Sequence, residues 1–290
     1  MTPVVEVSGL YKSYPARRNM LGRVVETTDA VRDVGFTIEP GTTLGIVGET
    51  GAGKSTVGRL VLRLIEADSG TVSMFGEDVR ALSAPQLRSL RRRAQMIFQD
   101  PFSSLDPRMV IRDVVGEPFT IHHGLRGEER DHRVLELLER VGMRADHLDR
   151  YPREFSGGQL QRIAIARALA TDPDFIVCDE PVAALDVSIQ AQVLNLLLDL
   201  QAERGISYLF ISHDLSLVRF LAHRVAVMQR GEIVEMGDAE ELFAEPRHPY
   251  TKALVAAIPT ARPRRERARG VALPTGLVPA DPSRNGVVSC

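Results

Sequence analysis

Nine residues constrain this chain more than any others: Gly48-Glu49-Thr50-Gly51-Ala52-Gly53-Lys54-Ser55-Thr56. The short apolar run Leu44-Gly45-Ile46-Val47 precedes them, and Val57, Leu60, Val61, Leu64 and Ile65 follow at helical spacing. Strand, glycine-rich turn and helix in that order match G-x-x-x-x-G-K-[ST], a P-loop, in the setting it requires. Glycines let successive backbone N–H groups turn inward with no Cβ in the way. Those N–H groups and the positive end of the helix then face phosphate. Lys54 is placed to reach the β- and γ-phosphates as a point charge, and the Ser55 hydroxyl to ligate Mg²⁺. A glycine turn serving only packing is the competing reading, and the agreement of motif with context disfavours it. The segment predicts binding of a nucleoside triphosphate.

At 290 residues the chain has room for one large α/β domain with an appended subdomain or tail. With 44% apolar and 26% charged residues it has the composition of a soluble globular protein. No apolar run approaches the roughly 20 residues that span a bilayer. The opening Met1-Thr2-Pro3-Val4-Val5-Glu6 lacks the basic and apolar regions of a secretory signal. Two cysteines, Cys178 and Cys290, are too few for a disulfide framework or a cysteine metal site. A formal charge of -2 argues against a broad nucleic-acid-binding surface, so no nucleic-acid partner is expected. The expectation is a soluble cytoplasmic protein.

Before the loop, Val4-Val5-Glu6-Val7, Ala30-Val31 and Val34–Ile38 read as strands of an antiparallel layer, with a loop over Pro15 to Glu26. After it, Thr71–Phe75 returns to strand type, Leu87–Arg93 reads as a basic solvated helix end, and Gln95–Gln99 as a short buried strand. From Val110 to Arg150 the pattern is helical, with Val134, Leu135, Leu137, Leu138 and Val141 as an apolar stripe. This predicts a helical insertion, over about 100–155, between two halves of a nucleotide-binding core. Phe175–Cys178 and Ile206–Ile211 are buried-strand runs, and Val225–Met228 with Ile233–Met236 suggest a hairpin. The fold class expected is α/β: a P-loop core with a mostly parallel sheet, an N-terminal antiparallel β layer and a helical insertion. Residues 1–260 would form this domain. Residues 261–290, with five arginines between Arg262 and Arg269, read as a poorly ordered or partner-dependent tail.

The candidate chemistry gathers at strand ends. Asp179 closes an apolar strand, where an aspartate can position Mg²⁺, and Glu180 follows, where a carboxylate can polarise an attacking water. His213 closes the next core strand and is a candidate γ-phosphate contact. Gln99 follows a short strand and offers an amide oxygen to Mg²⁺ or water. Tyr14 is an aromatic that could stack on a nucleotide base. Ser156-Gly157-Gly158-Gln159 opens a strong helix, Leu160–Ala170, and so presents a second anion-suited helix start.

Together, Gly48–Thr56, Gln99, Phe155–Gln159, Phe175–Glu180, Ala184-Leu185-Asp186 and His213 resemble the ATP-binding-cassette ATPases. In that family's terms these are Walker A, Q-loop, signature, Walker B, D-loop and H-loop, in the family's order over roughly residues 4 to 240. Asp179–Leu197, Phe98–Arg108 and His248-Pro249-Tyr250-Thr251-Lys252-Ala253-Leu254 further resemble the oligopeptide/dipeptide importer subfamily, and within it the second of two paired ATPase subunits. The resemblance implies that two such subunits sandwich two ATP molecules head to tail. Ser156, Gly157 and Gly158 of one would then contact the γ-phosphate held by the other. It also implies Mg²⁺ on Ser55, Gln99 and Asp179, and Tyr14 against adenine. The implied partners are a second ATPase subunit, identical or different, and two membrane permeases. An extracytoplasmic solute-binding protein is implied indirectly, and the location would be the cytoplasmic face of the membrane.

Two departures from the family pattern stand out. Ala183 occupies a turn position where serine is common, and Cys290 alone cannot support the iron–sulfur cluster associated with some C-terminal regions of the subfamily. Two other functions share much of this pattern: an ATPase in a soluble enzyme complex, such as phosphonate breakdown, and a low-turnover regulatory ATP-binding module. The intact Glu180 and His213 speak against the second.

Overall fold

Val5 and Val7 are buried while Glu6 and Ser8 are exposed, the alternation of a strand with one wet face. The computed structural model describes residues 2–18, 24–183 and 185–258. Its strands run β1 (Val5–Arg18), β2 (Val24–Ile38), β3 (Thr43–Val47), β4 (Ser69–Met74), β5 (Glu77–Asp78) and β6 (Ala94–Ile97). They continue with β7 (Phe175–Asp179), β8 (Ser207–Ser212), β9 (Arg224–Gln229) and β10 (Glu232–Asp238).

An antiparallel sheet has the order β2-β1-β4-β5. A larger sheet has the order β10-β9-β3-β8-β7-β6, parallel from β9 to β6, with β10 added antiparallel at one edge. Every residue of β3, β7 and β8 is buried. Covered on both faces, such strands carry continuous apolar runs rather than alternation, which is why they are visible in the sequence. The antiparallel layer, the parallel sheet and the β9–β10 hairpin are as expected.

One expectation needs correcting. Pro15 to Glu26 is not a loop throughout: β1 continues to Arg18 and β2 begins at Val24, with Pro15 opposite Thr27. Pairing of β1 with β4 stops at Tyr11 and Ser69, so beyond that point β1 has β2 as its neighbour. A proline lacks the N–H that a second neighbour would need, and is tolerated on such a one-sided ribbon. The register shifts repeatedly along it, which erases the alternation by which a strand is read.

Alternate residues of the parallel strands serve two cores. Phe175, Val177, Leu209 and Ile211 join Val5, Leu10 and Phe36 of the antiparallel layer and Val57, Leu60 and Val61 of α1 (Lys54–Val61). Ile176, Cys178, Tyr208 and Phe210 face the helical side. There, after the surface helix α2 (Ala84–Arg93), the chain forms α3 (Pro101–Ser104), α4 (Ile111–Pro118) and a π-helical turn, Phe119–His123. It then forms α5 (Gly127–Arg140), α6 (Gly157–Leu169) and, beyond β7, α7 (Val187–Arg204). Val134, Leu137, Leu138 and Val141 are buried in this second core, as the helical stripe predicts, with Leu135 half-buried. The last helices among the described residues are α8 (Leu215–Leu221), α9 (Ala239–Ala244) and α10 (Pro249–Ala256). Among the described residues no helix is long and apolar enough to cross a membrane. The arginine-rich stretch 261–290 with Cys290, residues 19–23 and Ala184 lie outside the described residues.

The buried Tyr208 phenol donates to the carbonyl oxygen of Leu197 on α7 at 3.0 Å, tying helix to sheet. Tyr208→Phe keeps the ring and removes the bond. Urea denaturation should show stability reduced by about 1 kcal/mol with an unchanged slope.

Candidate functional site

In a parallel sheet all carboxyl ends lie along one edge, and there four segments leave the strands. The residue pairs Val47–Ser212 and Asp179–Ile211 put the ends of β3, β7 and β8 level. The glycine loop follows β3, Glu180 follows β7 and His213 follows β8, while Gln99 stands two residues beyond β6.

The loop is pressed against its walls. Gly53 has φ +103°, and a Cβ on it would collide with the carbonyl oxygen of Ala30 on β2. A Cβ on Gly48 would collide with the Met228 carbonyl on β9. These approaches exclude side chains at both positions and leave the backbone to line the turn. Ala52 donates its N–H to the Glu49 carbonyl at 3.1 Å and accepts one from Gly231 at 3.0 Å. Glu49, Thr50 and Gly51 are exposed, and Thr56 is half-buried on α1.

Lys54 heads α1 and is 4% exposed. Its ammonium donates to the carbonyl oxygens of Gly48 (2.8 Å) and Glu49 (2.9 Å) and lies 3.9 Å from Glu180 Oε1. Burial lowers the lysine's pKa below its ordinary value, and the carboxylates of Glu180 and Asp179 oppose that shift. Ser55 Oγ donates to Asp179 Oδ1 at 2.6 Å. Asp179 is buried, which raises its pKa, while the Ser55 hydrogen bond and the Arg59 charge pull the other way.

Glu180 has φ +46°, a left-handed backbone in a residue with a side chain. Its own N–H, bonded to the Ile211 carbonyl at 2.9 Å, holds it there. Glu180 Oε2 accepts from Gln99 Nε2 and lies against His213 Nδ1, each at 3.1 Å. With the proton on Nδ1 the imidazole donates as well. One carboxylate is thus fixed by an amide from β6's end and a ring from β8's end.

This cluster fits a magnesium–triphosphate. The Ser55 hydroxyl, the Asp179 carboxylate and the Gln99 amide oxygen are the hard oxygen donors Mg²⁺ takes, and the glycine cradle with a buried ammonium suits phosphate. The structure thus gathers the Gly48–Thr56 loop, Gln99, Asp179, Glu180 and His213 in one place.

The remaining expected site residues lie at the start of α6 and on β1. Ser156 caps α6, its hydroxyl accepting the Gln159 N–H at 3.4 Å while Gln159 Oε1 accepts the Ser156 N–H at 3.0 Å. Gly157 borders a cavity of about 310 Å³ together with Gln99, Phe102, Gln161, Pro181 and Leu185, and Gly158 follows it in the first turn of α6. Tyr14 stands on β1 opposite Thr28, 40% exposed, with the Lys12 ammonium 5.7 Å from its ring centre. One contact has no counterpart in the sequence reading: the Glu49 N–H donates to the Tyr250 hydroxyl at 3.1 Å, across 201 positions.

Known proteins resemble this chain in sequence and in fold. Residues 31–183, more than half of the chain, match the ABC transporter family, and residues 234–280 match the oligopeptide/dipeptide transporter C-terminal region. The glutathione import ATP-binding protein GsiA of Salmonella typhimurium strain LT2 is 52% identical over 271 residues, 93% of this chain and 44% of that protein. The Escherichia coli K12 protein of that name is 51% identical over 275 residues, 95% of this chain and 44% of its own length. The chain therefore spans less than half the length of these relatives. Among solved structures, the cassette MJ0796, a dimer in a post-hydrolysis state bound to ADP and Pi, superposes with TM-score 0.72 at 29% identity. That match covers 81% of this chain and 98% of the other. The cbiO1 protein from Clostridium perfringens, part of the cbiONQ transporter complex, gives 0.71 at 26% identity, over 84% and 92%. With that family match, and a fold shared with solved ATP-binding cassettes, this chain belongs to the ABC transporter family.

Proposed function

We propose that this chain is the ATP-hydrolysing subunit of a membrane importer of oligopeptides, dipeptides or a related small solute. One observation carries the hydrolytic part: Lys54, Ser55, Asp179, Glu180, Gln99 and His213 converge from separate strand ends on one glycine loop. The loop N–H groups and Lys54 hold the triphosphate, and Tyr14 stacks on adenine. Ser55, Asp179 and Gln99 hold Mg²⁺, which when bound offsets phosphate charge. Glu180, oriented by Gln99 and His213, aligns a water and draws on its proton as the water oxygen attacks the γ-phosphorus. The bond to the β–γ bridging oxygen breaks, giving ADP and inorganic phosphate. His213, beside Glu180, also reaches the γ-phosphate.

Ser156, Gly157, Gly158 and Gln159 act on the nucleotide of a second subunit in a head-to-tail dimer. Their location at a helix start supports this, as do the dimers formed by the MJ0796 cassettes. Two permeases are the membrane partners, served indirectly by an extracytoplasmic binding protein, and the chain works at the cytoplasmic face. A cavity of about 280 Å³ between β6, the π-helical turn and α6, with Leu64 and Ile121 exposed beside it, supports a docked partner there. Residues 1–260 act as the nucleotide-binding domain, with the helical insertion over about 100–155 carrying motion to the permeases and 261–290 as the tail. Small peptides are the cargo class favoured by the C-terminal match, and glutathione is the cargo named for the relatives.

Glu180→Gln should retain ATP binding and lower phosphate release by about 10²-fold or more, the usual scale for a lost base. Normal turnover in that variant would remove Glu180 from the role. Lys54→Ala should weaken ATP binding about ten- to a hundredfold in direct titration, the scale of a charged hydrogen bond. The importer reading is checked by purifying the tagged chain from host membranes. Two permeases should accompany it, and recovery of soluble enzymes alone would leave ATP hydrolysis standing without transport.

A further inference from the structure

We propose that Tyr250 is a positioning residue of the phosphate loop, holding from the C-terminal region the peptide that anchors Lys54. The Glu49 residue is gripped on both sides. Its N–H donates to the Tyr250 hydroxyl at 3.1 Å, and its carbonyl accepts from Lys54 Nζ at 2.9 Å. Glu49 lies beyond the last residue of β3 and ahead of α1, so neither ladder nor helix supplies a partner for that N–H. Tyr250 supplies it.

The phenol is itself held in place. Glu235 on β10 accepts the backbone N–H groups of Arg247 and His248, at 2.8 and 2.9 Å, which fixes the turn before α10. His248 Nδ1 accepts the Tyr250 N–H at 3.2 Å and caps that helix. The Tyr250 ring packs against the core on the helical side of the sheet. Burial, with the Glu49 carboxylate nearby, raises the phenol's pKa, so the hydroxyl stays neutral. A group placed by several bonds can fix another group's position, where a free side chain cannot.

Tyr250 reaches nucleotide through Glu49 and Lys54, while Glu180, Gln99 and His213 are held by one another. Losing the hydroxyl therefore loosens the lysine's seat, while the hydrogen bonds of Gln99 and His213 still hold Glu180. The inference rests on the reading that the loop binds ATP.

The test is Tyr250→Phe in the full chain, alone and combined with Lys54→Ala, measured by titration with Mg–ATP and by steady-state hydrolysis. The single variant should raise both the ATP dissociation constant and KM about three- to tenfold, the scale of one neutral hydrogen bond, with kcat within about twofold. On the Lys54→Ala background the same substitution should change ATP affinity by less than twofold, because the path runs through the lysine. A merely structural role would give losses that add. Unchanged ATP affinity in Tyr250→Phe, or the same fold-loss on both backgrounds, overturns this inference while the function reading stands. Failure of the unsubstituted chain to bind Mg–ATP overturns both.

Discussion

A lysine ammonium that is almost fully buried sets the terms for everything around it. A buried charge is tolerable only where carbonyls and opposite charges replace the water it has lost. No single segment of this chain supplies both. The carbonyls of Gly48 and Glu49 come from the loop after β3, and the carboxylates of Asp179 and Glu180 from the end of β7. They meet because parallel strands end along one edge, and because β8, between them, fixes their relative register. The sheet is thus a device for bringing distant charges to one point. Glu180 shows the strain this involves. Its left-handed backbone costs about 1–3 kcal/mol, and the bond to Ile211 helps offset it.

Much of this is legible in the sequence, for a physical reason. Strands buried on both faces carry unbroken apolar runs, so Phe175–Cys178 and Ile206–Ile211 announce themselves, and the polar residues at or just past each run stand out as Asp179, Glu180 and His213. The stripe from Val134 to Val141 is legible because one face of α5 is buried. What stayed hidden leaves no periodic trace. The ribbon beyond Tyr11 has a single neighbour and a shifting register, and Pro15 reads as a breaker. The Tyr250–Glu49 bond joins residues with no shared pattern, and in the sequence His248-Pro249-Tyr250 carries only a family likeness. The start of α6 lies between these extremes. Its capping residues are plain in the sequence, but the group Ser156 is proposed to face belongs to another subunit.

The two cores divide the work of support. One joins α1 to the antiparallel layer and carries the loop; the other joins the helical segment to α6 and α7. The residues proposed for phosphate contact in trans belong to the helical side, whereas Lys54 and Ser55 stand on α1. Glu180 and Gln99 leave the sheet that separates the two cores. Hydrogen bonded to each other, they occupy the seam where a shift of the helical side would be felt by the Glu180 carboxylate.

The strand order also governs when the site can exist. Strand β3 lies between β8 and β9, whose residues are made more than 150 positions later, and Gly48 packs against the carbonyl of Met228. A nascent chain that already carries the glycine loop therefore lacks both flanking strands. At roughly 5–20 residues per second, the ribosome takes on the order of ten to thirty seconds to deliver them. During that interval the loop has the Ala30 wall from β2 but not the Met228 wall from β9, so its seat is completed only when β9 arrives.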